Sequence, residues 1–195
     1  CARHGVWVAN SPDYGVGEVA THALSLALAL VRNVIGFHRD VNAGTWYYLS
    51  SGSLRRASEM TLGIVGLGRI GKRMAHISRD TFGRVAACDP YLIDGDFPAY
   101  VKRADLAALF EQSDVVSLHT PLNDETRGMI NERVLGRMRR GSFLVNTSRG
   151  AVVAIDHLLD ALDSGILAGA GLDVLPVEPP PSGSRLLGHP KVILT

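Results

Sequence analysis

Cysteine is scarce in this chain: of 195 residues, only Cys1 and Cys88 carry a thiol. The two have no metal-ligand spacing, and Cys88 closes an apolar run, so no metal site and no catalytic thiol is expected, while a reduced, cytoplasmic setting is. A charge of one sign is lacking too. Twenty basic against nineteen acidic residues leave a formal net charge of +1, too weak a field to argue for nucleic acid or a strongly acidic partner. Long hydrophobic runs are missing as well. The most apolar segment, 19–31, is about a dozen residues with His22 inside it, short of the roughly 20 that a bilayer crossing needs, and it reads as a buried helix. No secretory signal, internal repeat or low-complexity stretch is evident apart from Pro179-Pro180-Pro181. What remains, 46% hydrophobic and 20% charged residues, is the composition of an ordinary soluble domain with one sizeable core.

The chain is organised around TLGIVGLGRIGKRMA at 61–75. An apolar run (Leu62, Ile64, Val65) leads into Gly66-Leu67-Gly68-Arg69-Ile70-Gly71, and Ile70, Met74, Ala75 and Ile77 then follow helical spacing. The glycines thus occupy a strand-to-helix turn, the context a dinucleotide site needs. Gly66 permits the tight turn, Gly68 lets the backbone approach a pyrophosphate, and Gly71 lets helix and strand pack closely. Free N–H groups at the helix start face the phosphates. Eighteen positions after Gly71, the strand-like run 85–88 ends in Asp89, where such a fold places a carboxylate for the adenosine ribose hydroxyls. Pro90 and Tyr91 follow it rather than an arginine, which favours NAD over NADP.

Upstream, 5–10 reads as a strand, broken by the turn residues Ser11, Pro12, Asp13 and Gly15. From Val16 to about Asp40 the pattern gives one long helix, apolar nearly all round at its centre and so packed on more than one surface. Residues 42–59 form a loop or arm whose Trp46, Tyr47 and Tyr48 anchor either a subunit interface or the same chain. Downstream, 89–103 is irregular; helices are expected at 105–111, 131–138 and 155–162, and strands at 115–118, 143–146, 168–172 and 192–194. This alternation implies an α/β fold of the Rossmann type: a doubly wound parallel sheet with helices on both faces. The polar clusters Asp89, His119-Thr120-Pro121, Thr147-Ser148-Arg149-Gly150 and Asp173 all fall at the carboxyl ends of strands, where open parallel sheets bind ligands.

These runs carry a family resemblance. GIVGLGRIG at 63–71, SLHTPL at 117–122, LVNTSRG at 144–150, GLDVLPVEP at 171–179 and HPKVILT at 189–195 resemble, in order and over nearly the whole chain, the NAD-dependent D-2-hydroxyacid dehydrogenases. PDYGVGEVATHAL and VEPPP are most similar to the bacterial branch near phosphoglycerate dehydrogenases and C-terminal-binding proteins. The resemblance implies that Arg149 holds the substrate carboxylate and polarises the keto oxygen, with a fork of donors suited to a planar carboxylate. It implies that Glu178 pairs with a catalytic histidine and keeps its pKa high enough to donate a proton. Asp173 matches the residue near the nicotinamide carboxamide. Thr120, Pro121, Thr147 and Ser148, with Arg149, line the cofactor, and Arg69 and Ile70 lie over the pyrophosphate.

His119 and His189 read as structural. The family histidine stands in a Pro-His pair directly after the motif that ends here at Thr195, and the chain opens at Cys1 without a methionine. Residues 1–195 are therefore expected to be the NAD-binding domain of a longer protein, with the substrate domain almost entirely absent. A second departure is Ala154-Ile155 where the family commonly has Asp-Glu, an uncapped helix start worth about 1 kcal/mol. The implied function is hydride transfer between NAD(H) and a D-2-hydroxy acid/2-keto acid pair, in a homodimer, with no nucleic-acid or membrane partner and no metal. The alternative is an NADH-responsive co-regulator like the C-terminal-binding proteins, since fold cannot separate the two. A hydrolase using NAD transiently fits Arg149 with Glu178 less well, and formate dehydrogenases carry a glutamine at the position of Glu178.

Overall fold

The computed structural model of the chain describes every residue except Cys1, Asn10, Pro12, Ser51 and Ser53. The apolar segment after Gly15 folds as α1 (Val16–Val31), which buries Ala20, Ala23, Leu26, Ala27, Leu30 and Val31. The helix expected to run on to Asp40 is instead two. Asn33 adopts a left-handed conformation (φ 46°), which asparagine tolerates better than most side chains, and the chain turns by 55° into α2 (Val34–Asn42). No single helix among the described residues is long and apolar enough to cross a membrane.

The expected strand at 5–10 is not formed. Residues 6–9 are irregular and Trp7 is 98% exposed; Asn10 lies outside the described residues. A strand needs a neighbour to take its backbone groups, and residues 6–9 pair with none of the strands of the sheet.

Those segments build a seven-stranded, all-parallel sheet. Its strands are β1 (Thr61–Val65), β2 (Arg84–Cys88), β3 (Val101–Arg103), β4 (Val115–Leu118), β5 (Ser142–Asn146), β6 (Leu167–Leu172) and β7 (Val192–Leu194), in the order β3-β2-β1-β4-β5-β6-β7. β3 lies within the stretch expected to be irregular; at three residues, two of them exposed, it is too short for alternation to reveal. Among the described residues four further α-helices complete the layers: α3 (Arg69–Ser78), α4 (Leu106–Gln112), α5 (Glu132–Leu135) and α6 (Ile155–Asp163).

Successive strand residues point to opposite faces, and the core divides accordingly. Leu62 and Ile64, Val85 and Ala87, and Val145 join α1 and α3 on one face. Val65, Ala86, Val116 and Leu144 join α4, α5 and α6 on the other. α1 also packs on α3 and on β5 and β6, the several surfaces expected of a helix apolar nearly all round. Its approach to β6 is close because Gly169 and Gly171 carry no Cβ: one at Gly169 would come within 2.9 Å of Leu30, and one at Gly171 within 3.1 Å of Leu26.

At the amino end of the strands Asp114, 2% exposed, accepts hydrogen bonds from the Thr61 amide (2.8 Å) and from Arg55 (2.7 Å), with Arg139 3.7 Å away. This buried carboxylate ties the start of β1 to β4. α6 begins at Ala154 without a side-chain cap, as expected, although Asp156 in its first turn faces the positive end of the helix dipole.

Candidate active site

The strand order reverses between β1 and β4, and the loops leaving the carboxyl ends of these two strands diverge to opposite faces, opening a crevice. Gly66 lines it with φ 89°, a conformation that suits glycine; a Cβ there would stand 2.8 Å from the carbonyl oxygen of His119. Gly71 presses against the Gly66 carbonyl, so a side chain there would part helix from strand. Around Gly68 no heavy atom comes within 4 Å of a Cβ position. The first helical bond of α3 runs from Lys72 N to Gly68 O (2.8 Å), which leaves the amides of Arg69, Ile70 and Gly71 ahead of the ladder. Their side chains lie elsewhere. Ile70 packs into the core beneath α1 and α3, and the Arg69 guanidinium sits 3.4 Å from Asp13 on the surface.

Asp89 leaves the end of β2 beside this loop. One carboxylate oxygen accepts from Leu67 N (2.9 Å) and the other from Tyr91 N (3.0 Å), so the acid is fixed next to the glycine turn with lone pairs still available. Burial, then the charges of Asp89 and Asp105, push the Cys88 thiol pKa up, which keeps it protonated and unreactive.

From β4 and β5 come the polar residues of the far wall. The hydroxyls of Thr120 and Thr147 are buried without a hydrogen-bond partner, two of four such side-chain atoms among the described residues. A buried hydroxyl left unpaired costs free energy, so two at one crevice mark a place where a polar ligand completes the site. Together with the open space over Gly68, the free amides of α3 and the fixed Asp89, they fit a dinucleotide.

Pro121 contributes a carbonyl that accepts from Thr126 Oγ1 (2.7 Å). Ser148 faces inward: its N–H (3.0 Å) and hydroxyl (2.8 Å) both donate to Asn146 Oδ1, while Asn146 Nδ2 donates to the Arg149 carbonyl (3.0 Å). Asn146, 1% exposed, thus holds the 147–149 turn in shape, a role the sequence did not disclose although its motif was legible. His119 is packed at the end of β4 with Nε2 2.9 Å from Ser117 Oγ, and burial lowers its pKa to about 4. It is neutral at physiological pH, in line with a structural role. His189 accepts from Lys191 N (3.2 Å) in the turn before β7.

Arg149 and Glu178 line one cavity of about 350 Å³ with Leu122, Val174, Leu175 and Pro176. Arg149 Nη1 donates to its neighbour's carbonyl, Ser148 O (2.6 Å), and Glu178 Oε1 accepts from Leu175 N (2.8 Å). No ion pair joins the two among the described residues. They are brought together because the backbone of Leu175 and Pro176 passes directly over Gly150, where any side chain would overlap it. Asp173, at the end of β6, donates its own amide to Asn146 O (3.0 Å) and accepts at Oδ1 from Thr195 Oγ1 (3.0 Å).

The family profile described as "D-isomer specific 2-hydroxyacid dehydrogenase, NAD binding domain" matches residues 24–195. The chain is 34% identical over 197 residues to a D-3-phosphoglycerate dehydrogenase of Bacillus subtilis, covering 99% of this chain and 37% of that protein. It is 39% identical over 197 residues to a glyoxylate reductase of Korarchaeum cryptofilum, covering 98% and 59%. Among solved structures, a D-lactate dehydrogenase with NAD+ from Lactobacillus jensenii superposes with a TM-score of 0.88 at 29% identity, covering all of this chain and 62% of the other. The chain therefore spans between about a third and two thirds of these relatives. The co-regulator alternative gains nothing from these likenesses.

Proposed function

The chain belongs to the D-isomer specific 2-hydroxyacid dehydrogenases through their NAD-binding domain, and from that premise we propose that it serves an enzyme interconverting a D-2-hydroxy acid and its 2-keto acid. Bound NAD supplies the hydride chemistry. The glycine turn and the start of α3 receive the pyrophosphate, Asp89 the adenosine ribose, and Thr120 and Thr147 the portion that crosses the crevice. The observation that carries the reading is the cavity shared by Arg149 and Glu178, with the unpaired hydroxyls of Thr120 and Thr147 two residues along the chain from its lining residues Leu122 and Arg149. A guanidinium on a half-apolar wall binds a planar carboxylate and stabilises negative charge developing on the adjacent oxygen. Glu178, anchored by the Leu175 amide, would pair with an imidazolium and keep it able to donate a proton.

The same reading makes residues 1–195 the cofactor domain and assigns substrate side-chain selection to a second domain. A homodimer is supported by the exposed Trp46, Tyr47, Tyr48 and Leu49 of the arm and by a cavity of about 600 Å³ at the opposite end of the strands, lined by Leu30, Ile35, Leu54 and Phe143. A monomeric mass in solution would remove that part of the proposal. A cytoplasmic setting is part of the same proposal, which fractionation of cells making the protein would check. The decisive experiment is NADH oxidation by the intact protein against a panel of 2-keto acids. Turnover on any member supports the proposal; NADH binding with no turnover across the panel refutes it.

A further inference from the structure

The packing of α1 on β6 has a register. Leu30 meets Gly169 and Leu26 meets Gly171, so the helix runs antiparallel to the strand and each step of four helix residues matches two strand residues. The steps are commensurate: about 6 Å along a helix and about 6.6 Å along a strand. The next pair in this series is His22 and Asp173. His22 Nε2 lies 2.9 Å from Thr195 Oγ1 and 3.4 Å from Asp173 Oδ1, and Thr195 Oγ1 lies 3.0 Å from the same carboxylate oxygen. Thr195 is delivered by the β6–β7 ladder, in which Leu172 pairs with Leu194 and Thr195 N donates to Leu172 O (3.2 Å).

The chemistry of the three groups fixes the direction of the chain of bonds. An ionised carboxylate only accepts, so the single hydroxyl proton of Thr195 goes to Asp173. The hydroxyl oxygen is then the acceptor, and His22 must carry a proton on Nε2 and donate it. Thr195 thus donates to Oδ1 of Asp173, with His22 Nε2 close by, and among the described residues Oδ2 has no partner and can accept from a ligand. The position of that oxygen follows from the fold. Glycine turn and Asp89 take the adenosine half of a dinucleotide, so its other half lies over the ends of β4, β5 and β6. There Asp173 stands near the cavity of Arg149 and Glu178. An acceptor at that point suits the N–H donors of a carboxamide.

We infer that His22 is a positioning residue for the nicotinamide end of the bound cofactor, acting through Thr195 on the carboxylate of Asp173. The inference rests on the dinucleotide reading of the crevice. Without the His22 donor the Thr195–Asp173 pair loses its anchor on α1, and Oδ2 is no longer held at one place.

The test compares NADH with ADP-ribose, which keeps the adenosine, pyrophosphate and second ribose but lacks the nicotinamide, by calorimetric titration of the intact protein. In His22→Leu, NADH affinity should fall about tenfold, as expected for losing a hydrogen bond to a charged group, with ADP-ribose affinity unchanged. His22→Gln, which restores an N–H donor at a similar reach, should recover most of the loss. Thr195→Val should reproduce it, and the double variant His22→Leu/Thr195→Val should lose no more than either alone, as members of one relay do. Unchanged NADH affinity in His22→Leu and Thr195→Val overturns the inference. Equal loss for both ligands also overturns it, showing His22 to be a packing residue of α1. If the unmodified protein bound neither ligand, the dinucleotide reading itself would fall, a result distinct from either.

Discussion

His119 lets stability be predicted as a function of pH. Its pKa is lowered to about 4 by burial at the end of β4, whereas the same side chain in an unfolded chain titrates near 6.5. Above the unfolded value both states are neutral and the residue adds no pH dependence. As pH falls from there, the unfolded chain takes up a proton that the folded chain refuses, and folding loses about 1.4 kcal/mol per unit until the folded ring also titrates. The ring is not wholly sealed from solvent, so the expected loss over this window is roughly 2 kcal/mol rather than the full interval. That is a sizeable share of the roughly 5–15 kcal/mol of a typical domain. Comparing the protein with His119→Gln cancels the other titrating groups. Urea unfolding at pH 7 and about 4.5 should show the unmodified protein losing roughly 2 kcal/mol more than the variant across that interval. Parallel stability profiles would refute the placement of a neutral, buried imidazole there. The acid limb of kcat/KM should be the same in both, since a ring neutral at working pH is not the proton donor.

Three further outcomes are expected. Arg149→Lys keeps charge but loses the planar fork, so kcat/KM should fall about 100-fold with NADH affinity changed far less; wild-type kcat/KM would end the assignment. NAD(H) should be preferred over NADP(H) by at least about tenfold, and Asp89→Ser should shrink that preference; equal affinities in the unmodified protein would show that Asp89 does not face the ribose. Gly150→Ala should displace the Leu175–Pro176 backbone and Glu178 with it, lowering kcat/KM about 100-fold and stability by about 1–3 kcal/mol. Gly183→Ala, with no heavy atom within 4 Å of the new methyl, should do neither.

Local pattern carried most of the sheet into view. β4 and β7 match their expected spans, and β1, β2, β5 and β6 differ by a residue at one end, because strands buried on both faces write themselves as continuous apolar runs. What escaped depended on tertiary partners. Residues 6–9 are strand-like in sequence but have no strand neighbour among the described residues, and the turn at Asn33 is one backbone conformation within an otherwise helical pattern. At the site, the carboxyl ends of the expected strands and the glycine spacing located Gly66, Asp89, Thr120, Thr147, Arg149 and Asp173 on one edge. His22 and Thr195 show in sequence only as helix and strand end because their roles lie in hydrogen bonds to distant segments, and Asn146 only as the end of a strand because its bonds to Ser148 and Arg149 depend on the shape of the turn. Asp114 was invisible for the same reason: only folding brings Arg55, Thr61 and Arg139 around it.

The seating of α1 also dictates an order of assembly. The helix at Val16–Val31 finds its surface on β5 and β6, strands that end at residues 146 and 172. A ribosome adding about 5–20 residues per second makes the helix on the order of ten seconds before the last of that surface exists. Through that interval Ala23, Leu26, Ala27 and Leu30 have no glycine-floored groove to enter, and the contacts they await are among the most distant in the chain, the kind that slows folding. Made well before the strands it packs on, α1 is thus among the last of these elements to dock, and its docking brings His22 to Asp173.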